Sequence, residues 1–197
     1  VEQIQSQTAT VNLSEPLARI PGVQVLNRQN YAQDLQISSR GFGTRSTFGV
    51  RGVRLIADDI PATMPDGQGQ AATIDLGSAK RVEVLRGPQG TLFGAGAVGG
   101  AVRFLTPEPS LSERSLYARG EYSLVDSGDA NFEAGVAAGG PIVDGKLGIR
   151  ASAWRRDEGG WVDRLNYDGS MADDNANHGD ATVMRLALAW QPIEKLR

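Results

Sequence analysis

Cysteine is absent from the 197 residues. That excludes a disulfide framework, a thiolate metal site and a cysteine nucleophile. It leaves the compartment open, because oxidising compartments also hold cysteine-free proteins. No apolar run approaches the roughly 18 residues that a membrane-spanning helix needs. Cations are not in excess either: Lys+Arg is 20 and Asp+Glu is 23, a formal net charge of −3. A strongly basic nucleic-acid binder is therefore excluded. No signal peptide opens the chain, which starts at Val1-Glu2-Gln3, so any leader is expected to have been cleaved or cut away.

What is abundant is glycine, with 25 residues. The glycines lie in irregular clusters in the first part and as spaced singles in the second. Charge divides at the same place. Residues 1–110 carry 10 basic and 9 acidic residues, and residues 111–197 carry 10 and 14. Two regions are expected, 1–109 and 110–197, with the boundary in Thr106-Pro107-Glu108-Pro109-Ser110.

In the first region a short helix is expected over Asn12–Ile20. Ser14 is its N-cap, Pro16 lies in its first turn, and Leu13, Leu17 and Ile20 share one face until Pro21-Gly22 stops it. Strands are expected at Val23–Val25, Leu35–Ser38 and Val50–Ile56, the last turning at Asp58-Asp59 into Ile60-Pro61. Met64–Gln70 has almost nothing to bury and reads as an exposed loop. A helical turn is expected at Ile74-Asp75-Leu76, and a strand at Arg81–Leu85 with Arg81 and Glu83 on one face. Pro88 suits the first turn of a short helix whose apolar face is Leu92-Phe93. The core is thin for about 110 residues.

Gly94-Ala95-Gly96-Ala97-Val98-Gly99 matches G-x-G-x-x-G. The dinucleotide mechanism needs a strand directly before it and a helix at its end. Here Gly87–Phe93 intervenes, and Ala101–Leu105 reads as a strand. A tight backbone crossing is the better reading. His178, the only histidine, lies in the polar run Asp173–Asp180 with nothing to orient it as a base. In Asp173-x-Asn175-x-Asn177 the glycine of a calcium loop falls one place late, and Met184 replaces its bidentate glutamate. Asp58-Asp59 and Asp157-Glu158 are adjacent and point to opposite faces of a strand. No catalytic residue, metal site or cofactor is assigned, so an enzyme is the weakest reading.

From Ser115 the period is two. Leu116, Ala118, Gly120, Tyr122 and Leu124 share one face, opposite Arg119, Glu121 and Ser123. Phe132, Ala134, Val136, Ala138 and Ile142 follow, then the turn Asp144-Gly145. Leu147, Ile149, Ala151 and Ala153 lie opposite Arg150 and Ser152. The last strand carries Met184, Leu186, Leu188 and Trp190. Long strands, alternating short and long turns, and aromatics near strand ends are the pattern of an outer-membrane barrel.

Leu17–Val23, Ser39–Gly43, Asp58–Pro61, Arg81–Pro88 and Leu92-Phe93-Gly94 through Val98-Gly99-Gly100 together resemble the plug of TonB-dependent outer-membrane receptors, of the siderophore or iron-chelate type. The order and spacing of these stretches over about 90 residues carry the resemblance. It implies an α+β plug domain, a small mixed sheet with short helices, followed by antiparallel β-strands of a transmembrane β-barrel. The family's barrel has 22 strands, and about four are present here. Four strands cannot close around a plug and leave edges unpaired, so the chain reads as the front portion of a larger receptor.

The resemblance implies active uptake of a scarce nutrient, foremost a ferric siderophore or iron chelate, across the Gram-negative outer membrane. The implied partners are TonB with its ExbB/ExbD energising complex, the chelate and outer-membrane lipid, and no nucleic acid. A TonB-box segment is not identifiable ahead of Val1 and is missing or upstream. The apical loops Gly43–Phe48, Met64–Gln70 and Ala95–Val98 would face the ligand. Arg45, Thr47, Asp66, Gln68 and Gln70 offer the polar groups, with Arg45 suited to an anionic chelate. Arg81, Glu83 and Arg86 would pair with the lumen wall and hold the plug. The alternatives are a plug-like binding or signalling module without transport, or a receptor for cobalamin, carbohydrate or another metal chelate.

Overall fold

The computed structural model describes residues 14–26, 35–46, 49–70 and 79–192. The chain forms two compact units, Val1–Thr106 and Pro107–Arg197. The expected turn at Ile74-Asp75-Leu76, and Leu13, lie outside the described residues.

In the first unit α1 (Ser14–Leu17) is a single turn, shorter than the sequence suggests. Ser14 is its first residue and accepts the Ala18 amide at 3.0 Å. Leu17 is fully buried, and Gly22, at φ +80°, turns the chain out of the helix. Strands β1 (Val23–Leu26) and β2 (Gln36–Ser39) form an antiparallel pair. A second sheet has the order β4-β3-β6-β5, built from β3 (Val53–Ala57), β4 (Ile60–Pro61), β5 (Arg81–Arg86) and β6 (Gly100–Leu105). In it β3 and β6 are parallel, and the other pairs are antiparallel. Its inward residues Val53, Leu55, Val102 and Phe104 meet Leu17, Val23, Leu35, Ile37 and Val50 in one core.

Strand β3 starts three residues later than the alternation predicts, because Gly52 adopts φ +77° and breaks the extended backbone. Val50 instead exchanges two hydrogen bonds with Gly69, each 2.8 Å. Asp58 and Asp59 both take left-handed φ, +46° and +65°, the two-residue hairpin geometry that aspartate tolerates. The short α2 (Gly90–Phe93) follows Gln89 at its cap. Pro88 thus precedes the helix rather than opening it, and Leu92 is 72% exposed rather than packed.

The second unit is a meander of order β7-β8-β9-β12, formed by β7 (Ser115–Leu124), β8 (Ala130–Val143), β9 (Leu147–Glu158) and β12 (Gly179–Trp190). The last strand begins five residues before the expected Met184, paired to β9 along its whole length. The connection between β9 and β12, read from sequence as a polar loop, contains a small hairpin of β10 (Arg164–Leu165) and β11 (Met171–Asp173). Its turn is held by Asn166 N–H to the Ser170 carbonyl at 2.8 Å.

The register places Leu116, Ala138, Ala151 and Leu186 in one row and Ala118, Val136, Ala153 and Met184 in the next. This apolar face is the bare one, with Leu116, Met184, Leu186 and Leu188 all exposed. The opposite face is polar along its length and the more covered, whereas the bare face turns polar only at one end, where Arg155 pairs with Asp157 and Asp180. On the covered face Arg119 pairs with Glu121, and Arg156 with Glu133 at 2.9 Å. Trp154 lies on that face, 5% exposed, flat against Gly135, where a Cβ would stand 1.8 Å from the indole. A water-soluble sheet reverses this arrangement. An apolar face bare on the outside, with ion pairs inside, is the pattern of a barrel strand in lipid.

Aromatic residues mark both borders of the bare face. Trp190 stands at the Leu147 row, and Tyr122 and Phe132 stand in the row of Asp157 and Asp180. At about 3.4 Å per residue the two rows are about 34 Å apart along β12. A strand tilt of about 40° reduces this to a height of about 26 Å, comparable with an outer-membrane apolar band whose Tyr122–Phe132 border carries the exposed Arg155–Asp157–Asp180 ion pairs.

Candidate functional site

The loops of the first unit gather at the end of the sheet where β3 and β6 begin. Close backbone approaches bring them together. A Cβ on Gly49 would meet the Gly69 carbonyl at 2.5 Å. Gly67 and Gly96 are so near that a Cβ on either would contact the other's Cα, at 3.9 and 3.7 Å. Gly99 donates to the Gly52 carbonyl at 2.7 Å. The segment Gly94–Gly99 is therefore a backbone crossing that leads into a strand, not a phosphate-binding turn.

Segments 43–46, 64–70 and 95–98 thus share one surface. Arg45 is exposed there and has no hydrogen-bonded or ion-paired side-chain partner among the described residues. Asp66 is engaged: its Oδ2 lies 3.1 Å from Arg51 Nη2, and its Oδ1 accepts the Gln68 amide at 3.0 Å. Gln68 Oε1 accepts from Arg51 at 3.3 Å. Gln70 is exposed at the end of the same loop. Thr47 and Phe48 lie outside the described residues.

Two arginines absent from the sequence-based assignment shape this surface. Arg51 holds the 64–68 turn, and Arg54 donates through Nη1 to the Ala95 carbonyl and so supports the third loop. Both were read as alternating strand residues. The only sequence cue for Arg51 was its place in an Arg-Gly pair beside a turn-forming glycine.

Arg81, Glu83 and Arg86 do not form one group. Arg81 Nε lies 2.7 Å from Glu83 Oε1, and Arg103 Nη1 lies 2.7 Å from Glu83 Oε2, so both carboxylate oxygens are occupied. Arg103 reaches on to Asp59 at 2.5 Å and stacks 5.9 Å from the Phe93 ring centre. The Asp59 hydrogen bond, with the Asp59 and Glu83 charges, holds the Arg103 guanidinium above the ordinary arginine range against the opposing effect of desolvation. Asp58 accepts both the amide and the hydroxyl of Thr106 at 2.8 Å. Arg86 sits at the opposite, loop-bearing end and donates to the Pro21 carbonyl at 2.7 Å.

In the second unit Asp173, Asn177 and His178 are turned to their own loop. Asn177 Oδ1 accepts from the Trp161 and Val162 amides at 2.7 and 2.8 Å. Asp173 pairs with Arg164 at 3.2 Å. His178 Nδ1 lies 3.3 Å from the Asn175 carbonyl. These contacts account for the residues that had resembled a calcium loop.

A loop-bearing sheet with a thin core, followed by a meander that is apolar on its bare side, defines an outer-membrane barrel protein with a folded N-terminal domain. Comparison with known proteins agrees. A family model described as the TonB-dependent receptor plug domain matches residues 1–101. The chain belongs to this family.

Among curated relatives, the pesticin receptor of Yersinia pestis is 33% identical over 189 residues, covering 94% of this chain and 26% of that protein. The hemin receptor of Yersinia enterocolitica is 31% identical over 150 residues, covering 72% and 20%. Among solved structures, the ferric yersiniabactin uptake receptor FyuA from Yersinia pestis superposes with a TM-score of 0.67 at 29% identity, over 89% of this chain and 25% of that one. The siderophore receptor PirA from Acinetobacter baumannii gives 0.68 over 98% and 29%. At 17% identity this last likeness shows the fold alone. The chain spans about a quarter of the length of the pesticin receptors it matches.

Proposed function

We infer that this chain is the plug and opening barrel strands of a receptor that takes up a scarce nutrient, foremost a ferric siderophore or other iron chelate, across the Gram-negative outer membrane. The observation that carries this reading is the pairing of two features. One is the outward apolar band of the second unit, and the other is the set of three loops gathered on one surface of the first. The relatives named above are receptors for pesticin and hemin, and the 29%-identical structure is a ferric yersiniabactin uptake receptor, which supports an iron chelate as the ligand; a vitamin B12 transporter of Vibrio vulnificus, 26% identical over 153 residues, keeps cobalamin as the alternative. The activity is binding and transport, not catalysis.

In this reading the loop surface bearing Arg45, Asp66, Gln68 and Gln70, together with Thr47, receives the ligand. The plug occupies the barrel lumen, and Arg81 and Arg86, at the two ends of β5, meet carboxylates of the lumen wall, while Glu83 orients Arg81 and is itself held by Arg103 from within the plug. TonB and the ExbB/ExbD complex supply the energy for release. The test is uptake of radioactive iron, supplied as a panel of chelates, by cells whose only iron-chelate receptor is the intact protein. Uptake of at least one chelate that disappears when TonB is deleted is expected. Uptake of none, or uptake indifferent to TonB, contradicts the proposal.

A further inference from the structure

The two ends of the first unit differ in charge. Segments 40–46, 49–54, 64–70 and 86–100, which meet at the loop-bearing end, carry Arg40, Arg45, Arg51, Arg54 and Arg86 against one carboxylate, Asp66. The far end is mixed, with Asp58, Asp59 and Glu83 beside Lys80, Arg81 and Arg103. Arg54 and Arg86 rest on neutral carbonyls, of Ala95 and Pro21, so their charge is not cancelled. A local excess of like charge opposes compactness and raises the local concentration of anions.

Among the described residues Arg51 is the one cation of the five with a carboxylate partner, and the pair is solvent-accessible, with side chains 56% and 53% exposed. Asp66 also caps its own turn through the Gln68 amide at 3.0 Å. The same turn is closed by Met64 N–H to the Gln68 carbonyl at 2.8 Å and Gly67 N–H to the Met64 carbonyl at 2.9 Å. Below it the Gly69–Val50 pair fixes the loop to the sheet. One carboxylate therefore holds both the exposed guanidinium and the loop conformation.

We propose that Asp66 stands in for an anionic ligand on Arg51, and that an incoming anionic chelate exchanges with it. Arg51 is then the residue that favours anionic over neutral chelates, and the exchange reports occupancy to the turn at 64–68. An exposed ion pair is worth little in water. A ligand carboxylate that takes the guanidinium in two parallel hydrogen bonds, within the field of the neighbouring arginines, outcompetes it. With Arg51 drawn to the ligand, its bonds to Asp66 Oδ2 and Gln68 Oε1 at the two ends of the turn are lost and the turn loosens, while the Gly69–Val50 pair remains as the fixed root. This inference rests on the reading that the loop surface receives the chelate.

The test measures hydrogen exchange at the amides of residues 64–68, and binding, in the intact receptor with ferric citrate as the anionic probe and a neutral ferric trihydroxamate as the control. In the ligand-free protein, Asp66→Asn and Arg51→Gln should each speed exchange at Gly67 and Gln68 by about fivefold or more. Ferric citrate should produce the same acceleration in the unaltered receptor, and the neutral chelate should not. Asp66→Asn should tighten ferric citrate binding about two- to fivefold, the equivalent of one exposed ion pair. Arg51→Gln should weaken it about tenfold or more. Unchanged exchange in Asp66→Asn, or equal responses to both chelates, overturns the exchange while leaving the receptor reading intact. Failure of both chelates to bind, with no chelate taken up by cells, contradicts the receptor reading and this inference with it.

Discussion

Leu186 stands in the row Leu116-Ala138-Ala151-Leu186 and is 69% exposed on the apolar side of the meander. It lies about 14 Å along β12 from Trp190, or about 10 Å in height at the usual tilt, within a band about 26 Å high. That puts it near the middle of the hydrocarbon layer if this face meets lipid. Leu186→Arg should then cost about 2–4 kcal/mol, the penalty for an arginine close to the midplane. Ser152→Arg is the control: it lies on the neighbouring strand, opposite Arg185, and faces the polar side. There an added cation should cost under about 1 kcal/mol. Denaturant unfolding of the intact receptor from lipid vesicles separates the two. Equal penalties, or a larger one for Ser152→Arg, would refute the assignment of the bare face to lipid.

Other perturbations read the remaining contacts. Gly135→Ala places a methyl where the Trp154 ring lies, so it should displace the indole and cost about 1–3 kcal/mol, visible as a shift in tryptophan emission and a lower unfolding midpoint. Arg103→Ala leaves Asp59 without its ion-pair partner and Glu83 with Arg81 alone; faster hydrogen exchange across β3–β6 should follow, and unchanged protection there would discount the cluster. Asp163 hydrogen-bonds the Asp174 carboxyl and raises its pKa. Its support of the β10–β11 loop is thus full in acid and is lost as pH rises through that raised value. Asp174→Asn should keep the loop protected at neutral pH. Asp168 behaves oppositely, because hydrogen bonds from Ser170 lower its pKa, and its support disappears as pH falls through the lowered value. Neutralising Arg86 should loosen the plug and raise leakage of small solutes through the intact receptor; unchanged retention and leak would remove it from that role.

The long strands were legible because a period-two pattern acts at every position: one slip would turn Leu116, Val136 and Leu186 to the polar side. The Asp58-Asp59 hairpin was legible for a local reason, since aspartate tolerates left-handed φ. The hairpin β10–β11 was missed although Asp168-Gly169 is itself a turn signal. Its strands are too short to show alternation. Arg51 and Arg103 were hidden for another reason. Arg51 looked like one more alternating strand residue until Gly52 broke the strand at φ +77°. Arg103 meets Glu83 and Asp59 only because β6 lies between β5 and β3. Such long-range pairings depend on sheet order, which local pattern does not specify. The loops were legible from local pattern only as three separate loops; their grouping on one ligand-facing surface came from the family resemblance.

The most direct test of the receptor account is the affinity of the intact protein for a chelate that it takes up, compared with the same protein carrying Arg45→Ala and Gln68→Ala together. Removal of two polar contacts from the loop surface should weaken binding about tenfold or more, since each ligand hydrogen bond contributes about 0.5–1.5 kcal/mol and those to a charged group about 1.5–3. Unaltered affinity in the double variant would contradict the placement of the ligand on this surface.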